Sequence, residues 1–303
     1  ESGSMPFAQV HYPFSTSEEE FAKIFPADFI GEGIDQTRGW FYTLNVISTG
    51  IKNSNPYKNL IVNGLVLTSE GKKMSKRLKN YPDPMEVCSE FGADAVRMYL
   101  INSPLVRADN LNFDKEKGVH GIVRDVFLPW YNAYRFLIQN ISKWEAHSGR
   151  NFLFVENIES LLPRFNVTDR WIESALQGLL RSVRKEMGEY KLYNVIPELL
   201  KFLDTLTNWY VRLNRNRLKG ESDEENWEVS LNVLFDVLLK INVLLSPIVP
   251  FITEHMYQNL RLVISKESPL NHESIHHVLI SEVNEKFVDN KINDEMSNFI
   301  SIV

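Results

Sequence analysis

Cysteine is almost missing from this chain of 303 residues, in which Cys88 is the only example. One thiol cannot build a disulfide framework or a cysteine zinc site, so both are excluded, and a reducing, cytoplasmic setting fits. Long apolar runs are missing too. No stretch approaches the ~20 residues that a membrane-spanning helix needs, and no secretory signal opens the chain. The sequence therefore predicts a globular protein with no membrane partner.

An excess of basic charge is also missing. Lysine and arginine number 33 against 39 aspartates and glutamates, which gives a net charge of −6. This balance argues against nucleic-acid binding over a whole surface. The exception is local, because the segment 72–79 concentrates five cations. An anionic partner is therefore expected to bind a small patch. The five cations are Lys72, Lys73, Lys76, Arg77 and Lys79.

The first hundred residues predict a mixture of strands and helices. The β-branched run 59–62 lies between Pro56 and Gly64, which is typical of a short buried strand, and extended structure continues through Val66 until Gly71. A helix is predicted from Asp35 onward because apolar residues recur there at spacings of three and four. These residues are Trp40, Phe41, Leu44, Ile47 and Ile51.

Helix start and stop signals follow. Asp83 and Pro84 predict an N-cap with proline at the first helical position, and Gly92 predicts the end of that helix. Asp94 is expected to cap the next helix, which runs to Ile101. The segment 103–118 is polar and irregular, and we place the domain boundary there.

Beyond that boundary the apolar period is close to 3.6 almost throughout, which predicts several amphipathic helices joined by short loops. Thr168 and Asp169 are expected to cap one of them. An antiparallel bundle is the natural packing for such helices. The predicted helices cover 119–144, the segment after Asp169, the regions around 199–213 and 233–245, and a segment after Pro250.

The basic loop 71–77 can bind a polyphosphate. It opens with Gly71 and carries Lys73 and Lys76 on either side of Ser75, so two mobile ammonium groups can surround one anion. In nucleotidyl transfer, most of the catalytic task is to position the phosphates and neutralise their charge. A solvated basic turn is the alternative that the residues alone leave open.

The loop residues Lys73-Met74-Ser75-Lys76 resemble the signature loop of class I aminoacyl-tRNA synthetases, and the continuation 78–84 is similar to that of eukaryotic isoleucyl enzymes. Upstream, the segment 32–42 resembles the adenylate-binding segment of the isoleucyl family and differs from its valyl counterpart. The opening 1–6 resembles the strand and turn that re-enter the catalytic fold after the inserted editing domain. Residues 208–212 resemble the anticodon-binding domain. The resemblance covers residues 1 to about 260 in four blocks.

The resemblance implies an α/β fold, the second half of a Rossmann-like catalytic domain, followed by an all-α anticodon-binding bundle. It assigns residues 1–105 to the catalytic domain with the loop, 106–125 to a connector that contacts the tRNA stem, and 126–303 to the bundle. It also implies the activity, in which L-isoleucine and ATP form isoleucyl-adenylate and the acyl group then passes to isoleucine tRNA. ATP is a substrate, Mg²⁺ accompanies it, and no metal is held by protein ligands.

Site roles follow from the same resemblance. Lys76 contacts the triphosphate, Lys73 assists or fixes the loop, and Ser75 offers its hydroxyl and backbone N–H to the phosphates. Glu32 holds the adenylate through ribose hydroxyls or the substrate ammonium. Asp35 is equally consistent with helix capping and with ligand contact, whereas ligand contact is favoured for Gln36. The remaining adenylate contacts are backbone groups near Gly31, Gly33, Gly64, Leu65 and Val66.

Four cations near the end of a long predicted helix are candidates for tRNA binding, and a favourable interaction with the helix C-terminus is the alternative. They are Arg212, Arg215, Arg217 and Lys219. His272, His276 and His277 are interpreted as a surface loop and not as a metal site.

Two features depart from the resemblance. Arg77 stands where the family loop usually ends in serine, and the chain contains no His-Ile-Gly-His type element or editing domain. We expect the chain to be a segment of a longer parent, inactive by itself and monomeric, although the parent family also occurs in multi-synthetase assemblies.

Three rivals remain: a valyl or methionyl enzyme, a non-catalytic RNA-binding module and a helical scaffold. The block 35–41 argues against the first, the intact loop and Glu32 against the second, and the basic loop against the third.

Overall fold

The computed structural model describes residues 1–75, 77–78 and 80–302. The chain divides into two compact units, one of residues 1–81 and 100–114, the other of residues 82–99 and 115–303. The strands lie in the first unit and nearly all the long helices in the second. The predicted order, an α/β part followed by a helical part, is confirmed. The units interleave in sequence, while the functional division at 105 and 125 stays a prediction.

A β-α-β arrangement forms the centre of the first unit. Strand β1 (Ala27–Gly33) pairs in parallel with β2 (Tyr57–Asn63), so that Glu32 lies opposite Val62. Helix α3 connects the two strands, as a parallel pair requires. It covers Trp40–Lys52 and buries Phe41 and Leu44, which confirms the predicted helix. It begins five residues after Asp35 because 34–38 form a 3-10 turn.

The opening residues differ from the prediction. The segment 1–6 was expected to form a strand and turn, but Ser2–Ser4 form a 3-10 turn and Met5–Ala8 form helix α1. Pro6 lies in the first turn of α1, where its missing N–H costs no hydrogen bond. Helix α2 (Glu18–Phe21) follows, with a capping box between Ser17 and Glu20. Around these helices the buried rings of Phe7, Phe21 and Phe25 pack together.

A second pair of strands lies in the segment that we expected to be irregular. β3 (Val66–Leu67) pairs in parallel with β4 (Leu111–Asn112), and Pro104–Arg107 form a 3-10 turn. The expectation for 103–118 was therefore wrong at β4. The pairing joins residues about 45 positions apart in sequence, and so short a strand carries no periodic signal of its own.

The second unit is a helical bundle. Asp83 accepts the backbone N–H of Met85 at 2.8 Å and Gly92 adopts a φ of +86°, so the predicted start and stop of the first helix are confirmed. A π-helical turn at Lys115–Val119 leads into the bundle, and two more at Val123–Phe127 and Thr205–Tyr210 join neighbouring helices. The helices are α4 (Pro84–Phe91), α5 (Ala93–Ile101), α6 (His120–Ile122), α7 (Leu128–Ser148), α8 (Val167–Gly188), α9 (Leu192–Asp204), α10 (Val211–Leu213), α11 (Arg215–Leu218), α12 (Glu224–Leu245), α13 (Pro250–Leu260) and α14 (Asn290–Ile302).

Helix α12 occupies the core of the bundle, since it is buried on all sides from Val229 to Leu239. A helix surrounded by others reads as apolar around its whole circumference. Asp94, expected to cap its own helix, instead accepts the backbone N–H of Ile252 at 2.7 Å and so caps α13. No helix in the described part of the chain is long and apolar enough to cross a membrane.

Candidate functional site

The carboxyl ends of β1 and β2 lie side by side in the first unit. Glu32 and Gly33 end β1, and Gly64 follows directly after β2. In open α/β sheets, ligands bind beyond the carboxyl ends of parallel strands. The Glu32 side chain is exposed and has no hydrogen bond or ion pair with another described residue. Its carboxylate is therefore able to accept hydrogen bonds from a ligand at this edge.

The 3-10 turn after β1 contains Asp35 and Gln36, which make different contacts. The side-chain oxygen of Gln36 accepts the backbone N–H of Trp40 at 2.9 Å, so Gln36 caps α3. Ligand contact was favoured for Gln36, but its side-chain oxygen is used for helix capping. Its amide NH₂ group has no described partner. Asp35 is exposed, and its Oδ1 lies 2.6 Å from the position of a Cβ atom on Gly33. A side chain at Gly33 would therefore require the Asp35 carboxylate to move.

Gly64 is needed for close backbone packing. A Cβ atom there would lie 1.7 Å from the carbonyl oxygen of Asp109, and the Gly64 N–H already donates to the Leu105 carbonyl at 2.8 Å. This N–H is therefore not available to adenine. The expected backbone contact of adenine is thus corrected for the N–H of Gly64. Val66 is half-buried in β3, and its contact with a ligand stays a prediction.

The basic loop begins with a tight turn. Thr68 accepts the Lys72 N–H through its hydroxyl at 3.0 Å, and the Gly71 N–H donates to the Thr68 carbonyl at 2.8 Å. Gly71 has a φ of +75°, a region that favours glycine. Leu67 and Lys73 form an antiparallel bridge across this turn. The turn thus fixes where the loop starts.

The cations of the loop are not equivalent. Lys72 is paired with Glu70 at 2.6 Å, and both side chains are exposed. Lys73 is exposed, and neither its ammonium group nor the Ser75 hydroxyl contacts a polar partner among residues 1–75, 77–78 and 80–302. Arg77 is likewise exposed. Lys76 lies outside the described residues, so its predicted role rests on the motif alone.

Asn80 was not among the predicted site residues. Its side-chain oxygen accepts the Ser75 N–H at 2.9 Å, and its amide nitrogen donates to the Lys73 carbonyl at 3.2 Å. The Ser75 N–H, which was expected to face the phosphates, is therefore engaged in the described conformation. The sequence shows an asparagine a few residues after the loop, but it does not show that this side chain binds the loop backbone.

The cluster of arginines in the helical unit has two kinds of member. Arg212 and Arg215 are exposed, and the Arg215 guanidinium lies 5.8 Å from the ring centre of Phe136. Arg215 and Phe136 also line a surface groove of about 360 Å³ together with Arg135 and Gln139. Lys219 is half-exposed.

Arg217 points into the bundle instead. Only 10% of its side chain is exposed; Nη1 donates to Asp169 Oδ1 at 2.7 Å and Nε to Asn226 Oδ1 at 2.6 Å. The tRNA contact expected of Arg217 is therefore wrong for this conformation, because two of its donors are already engaged inside the protein.

Asp169 is a fully buried hub that the sequence did not reveal. Its carboxylate accepts the Tyr210 hydroxyl at 2.8 Å in addition to Arg217, and its other oxygen accepts the Asn166 N–H at 3.1 Å. Thr168 and Asp169 were expected to cap α8, but the N-cap is Asn166 and Asp169 is the third residue of a capping box. The periodic pattern located the helix start within a few residues and could not identify the cap.

Glu173 lies one turn further along α8 and is also fully buried. Neither of its side-chain oxygens has a hydrogen-bond partner among the described residues. Burial raises the pKa of Glu173 well above 4.5, and the negative charge of Asp236 raises this pKa further, while Lys240 acts in the opposite direction. A protonated Glu173 is able to donate a hydrogen bond to Asp236.

Glu173→Gln is expected to remove a pH dependence of stability. Because the pKa of Glu173 is raised in the folded state, its contribution is fully present below pH 4.5 and is lost as pH rises through the folded-state value. One such group changes the free energy of unfolding by at most about 1.4 kcal/mol per pH unit. Thermal unfolding from pH 5 to pH 8 should show the variant gaining on the wild type as pH rises. Parallel curves would contradict this, and Glu156→Gln, an exposed change, is the control.

No group of three or more histidine, cysteine, aspartate or glutamate side chains that could hold a metal ion occurs among the described residues. The rings of His272 and His277 lie 6.4 Å apart between centres.

Comparison with known proteins accounts for most of the chain. Residues 1–112 match the family described as tRNA synthetases class I (I, L, M and V), and residues 169–303 match the anticodon-binding domain of tRNA ligases. An isoleucine–tRNA ligase of Tetrahymena thermophila is 58% identical over 99% of this chain and 28% of its own length. The cytoplasmic isoleucine–tRNA ligase of Mus musculus is 53% identical over 100% of this chain and 24% of its own. The resemblance drawn from the motifs is confirmed.

Solved structures share the fold. A ternary complex of LeuRS from Agrobacterium radiobacter K84 with tRNA and LeuAMS has a TM-score of 0.65 at 20% identity, over 94% of this chain and 33% of that chain. Methionyl-tRNA synthetase of Mycobacterium tuberculosis with methionyl-adenylate has a TM-score of 0.65 at 22% identity, over 82% and 47%. This chain spans about a quarter of the length of the curated relatives it matches, 28% and 24%.

Proposed function

Because this chain belongs to the class I tRNA synthetase family of the I, L, M and V enzymes, we propose that it forms part of an enzyme that joins L-isoleucine to isoleucine tRNA. The amino-acid specificity is supported by the identities to isoleucine–tRNA ligases, which exceed 50% over nearly the whole chain. The observation that carries the chemistry is the loop, where Lys73 and Ser75 present side chains without a described polar partner while the neighbouring Lys72 is paired.

In the proposed reaction the isoleucine carboxylate attacks the α-phosphate of ATP. A bond forms between carboxylate oxygen and phosphorus, the bond to the bridging oxygen breaks, and pyrophosphate leaves. Lys73 and Lys76 neutralise the charge that grows on the leaving phosphates, and Ser75 donates its hydroxyl to them. No protein nucleophile is needed. A ribose hydroxyl at the tRNA terminus then attacks the carbonyl carbon, and the bond from that carbon to the adenylate oxygen breaks. AMP leaves, and the hydroxyl proton passes to its phosphate or to water.

The nucleoside part of the adenylate is assigned to the carboxyl ends of β1 and β2. Glu32 accepts hydrogen bonds from ribose hydroxyls or the substrate ammonium, and Gly33 with Asp35 and Gln36 forms the wall beside it. In the sequence, Val66 lies between the end of β2 and the loop. Mg²⁺ enters with ATP, since that ion is held mainly by phosphate oxygens and water, and no residue of this chain is assigned to it.

The helical unit is proposed to bind the tRNA. Exposed Arg212 and Arg215, with Lys219, offer positive charge to the phosphodiester backbone, and the groove beside Phe136 adds a ring next to them. The proposed setting is the cytoplasm, because several relatives are cytoplasmic isoleucine–tRNA ligases. The 303 residues by themselves are proposed to be monomeric, and a multi-synthetase assembly is proposed only for the parent protein.

Isoleucine-dependent ATP–pyrophosphate exchange by the full-length protein that carries this sequence is the test. Isoleucine should give a higher kcat/KM than valine, because an apolar pocket that fits isoleucine loses the contacts of one methylene with valine. Exchange driven best by valine or methionine would overturn the assignment. The 303 residues alone, in which the sequence contains no His-Ile-Gly-His type element, are expected to give no robust exchange.

A further inference from the structure

The Asn80 side chain joins two points of the loop backbone. Its oxygen accepts the Ser75 N–H at 2.9 Å and its nitrogen donates to the Lys73 carbonyl at 3.2 Å. The primary amide thus presents one donor and one acceptor in the way that a neighbouring strand would. Both bonds come from one half-buried side chain, so one residue ties together the backbone on either side of Met74.

The remaining support of this segment comes from backbone contacts at its beginning and after its end. The turn at 68–72 and the bridge from Leu67 to Lys73 fix its beginning, and the Leu78 N–H donates to the Ser75 carbonyl at 3.2 Å. Across Met74, the Asn80 side chain adds a link between the Lys73 carbonyl and the Ser75 N–H. The side chains of Lys73 and Ser75 remain without a described polar partner, so the backbone sets where each side chain begins and which space its end can reach.

We propose that Asn80 is a positioning residue that sets the geometry of the phosphate loop for the activation step. This inference rests on the proposed function. Asn80 touches no reacting atom in the proposal; it acts through Lys73 and Ser75, whose charge and hydroxyl face the leaving phosphates. Catalytic groups that must stabilise a transition state have to be held close to their productive geometry by such supporting contacts.

The chemistry predicts which steps depend on Asn80. Activation uses the triphosphate, so it needs the loop in the correct geometry. Transfer from preformed isoleucyl-adenylate to tRNA involves no pyrophosphate, so it should depend on Asn80 much less. Binding of isoleucine itself should be unchanged, because the loop is assigned to phosphates only.

The test measures both steps in the full-length protein with Asn80→Ala and Asn80→Asp. Asn80→Ala should lower kcat/KM for ATP in pyrophosphate exchange about tenfold, a factor that corresponds to about 1.4 kcal/mol. The KM for isoleucine and the single-turnover transfer from preformed isoleucyl-adenylate should stay within about twofold. Asn80→Asp keeps the shape and the acceptor but has no donor for the Lys73 carbonyl, so its activation step should fall about as far.

Asn55→Ala is the matched control, since Asn55 is an exposed asparagine of the same unit. It should leave every parameter at the wild-type value. Unchanged activation by Asn80→Ala, wild-type activation by Asn80→Asp, or an equal fall in activation and transfer would each overturn the inference. A wild-type protein without isoleucine-dependent exchange would instead overturn the proposed function, so the two failures are distinguishable.

Discussion

Lys73→Ala in the full-length protein should lower the rate of isoleucine-dependent pyrophosphate exchange about a hundredfold, the usual effect of removing one preorganised group that stabilises transition-state charge. The Lys73 ammonium is exposed and has no described ion partner. Its charge is therefore free to act on an incoming triphosphate. The loss should appear mainly in kcat, because charge builds on the leaving phosphates as the bond to them breaks.

Lys72→Ala is the matched control. Lys72 is the preceding residue, carries the same charge and is paired with Glu70 at 2.6 Å. Its replacement should change the exchange rate by less than about threefold, since an exposed, paired lysine contributes little. Equal losses in the two variants would show that the loop acts only through its total charge. Lys76→Ala should match or exceed Lys73→Ala if the assignment from the motif is correct.

Local signals explain which elements could be predicted. Asp83, Pro84 and Gly92 lie within ten residues of one another, and all three act on the ends of α4. The start and end of this helix could therefore be predicted from the sequence. Asp94 could not, because it caps α13 through a backbone N–H more than 150 residues away. Strand β4 was missed for the same reason, since its partner is β3.

The candidate site shows the same limit. The motif located Lys73 and Ser75 because their spacing is local. The two hydrogen bonds of Asn80 could not be predicted, because they depend on how the loop folds back. Ligand contact was favoured for Gln36, and Asp35 was left even between capping and ligand contact, because both stand about one turn before α3. Only the structure shows that Gln36 makes the capping bond. Arg215 and Arg217 differ by two positions, which place them in different directions on a helix. Which of them faces the core depends on Asp169, 48 residues earlier.

The buried pair of Asp169 and Arg217 leads to the largest expected effect on stability. Asp169→Ala should lower the free energy of unfolding of the helical unit by about 3–5 kcal/mol, the usual cost of breaking a buried ion pair. The change leaves the Arg217 guanidinium, only 10% exposed, without its carboxylate, and it removes the acceptor of the Tyr210 hydroxyl. Urea unfolding of the 303-residue chain, followed by tryptophan fluorescence, measures this loss. Glu225→Ala, which breaks the exposed pair with Arg164, should leave the transition unchanged.

Arg217→Ala and Arg215→Ala should therefore separate stability from tRNA binding. Arg217→Ala leaves Asp169 buried with less compensation and should move the urea midpoint in the same direction as Asp169→Ala. Arg215→Ala should leave that midpoint unchanged and reduce the slope of log affinity for isoleucine tRNA against log salt by about one. Replacing the exposed Arg215 removes a contact with a phosphate, whereas replacing the buried Arg217 removes the ion partner of Asp169. The opposite result, with Arg217→Ala stable and weak in tRNA binding, would show that Arg217 leaves Asp169 when tRNA binds.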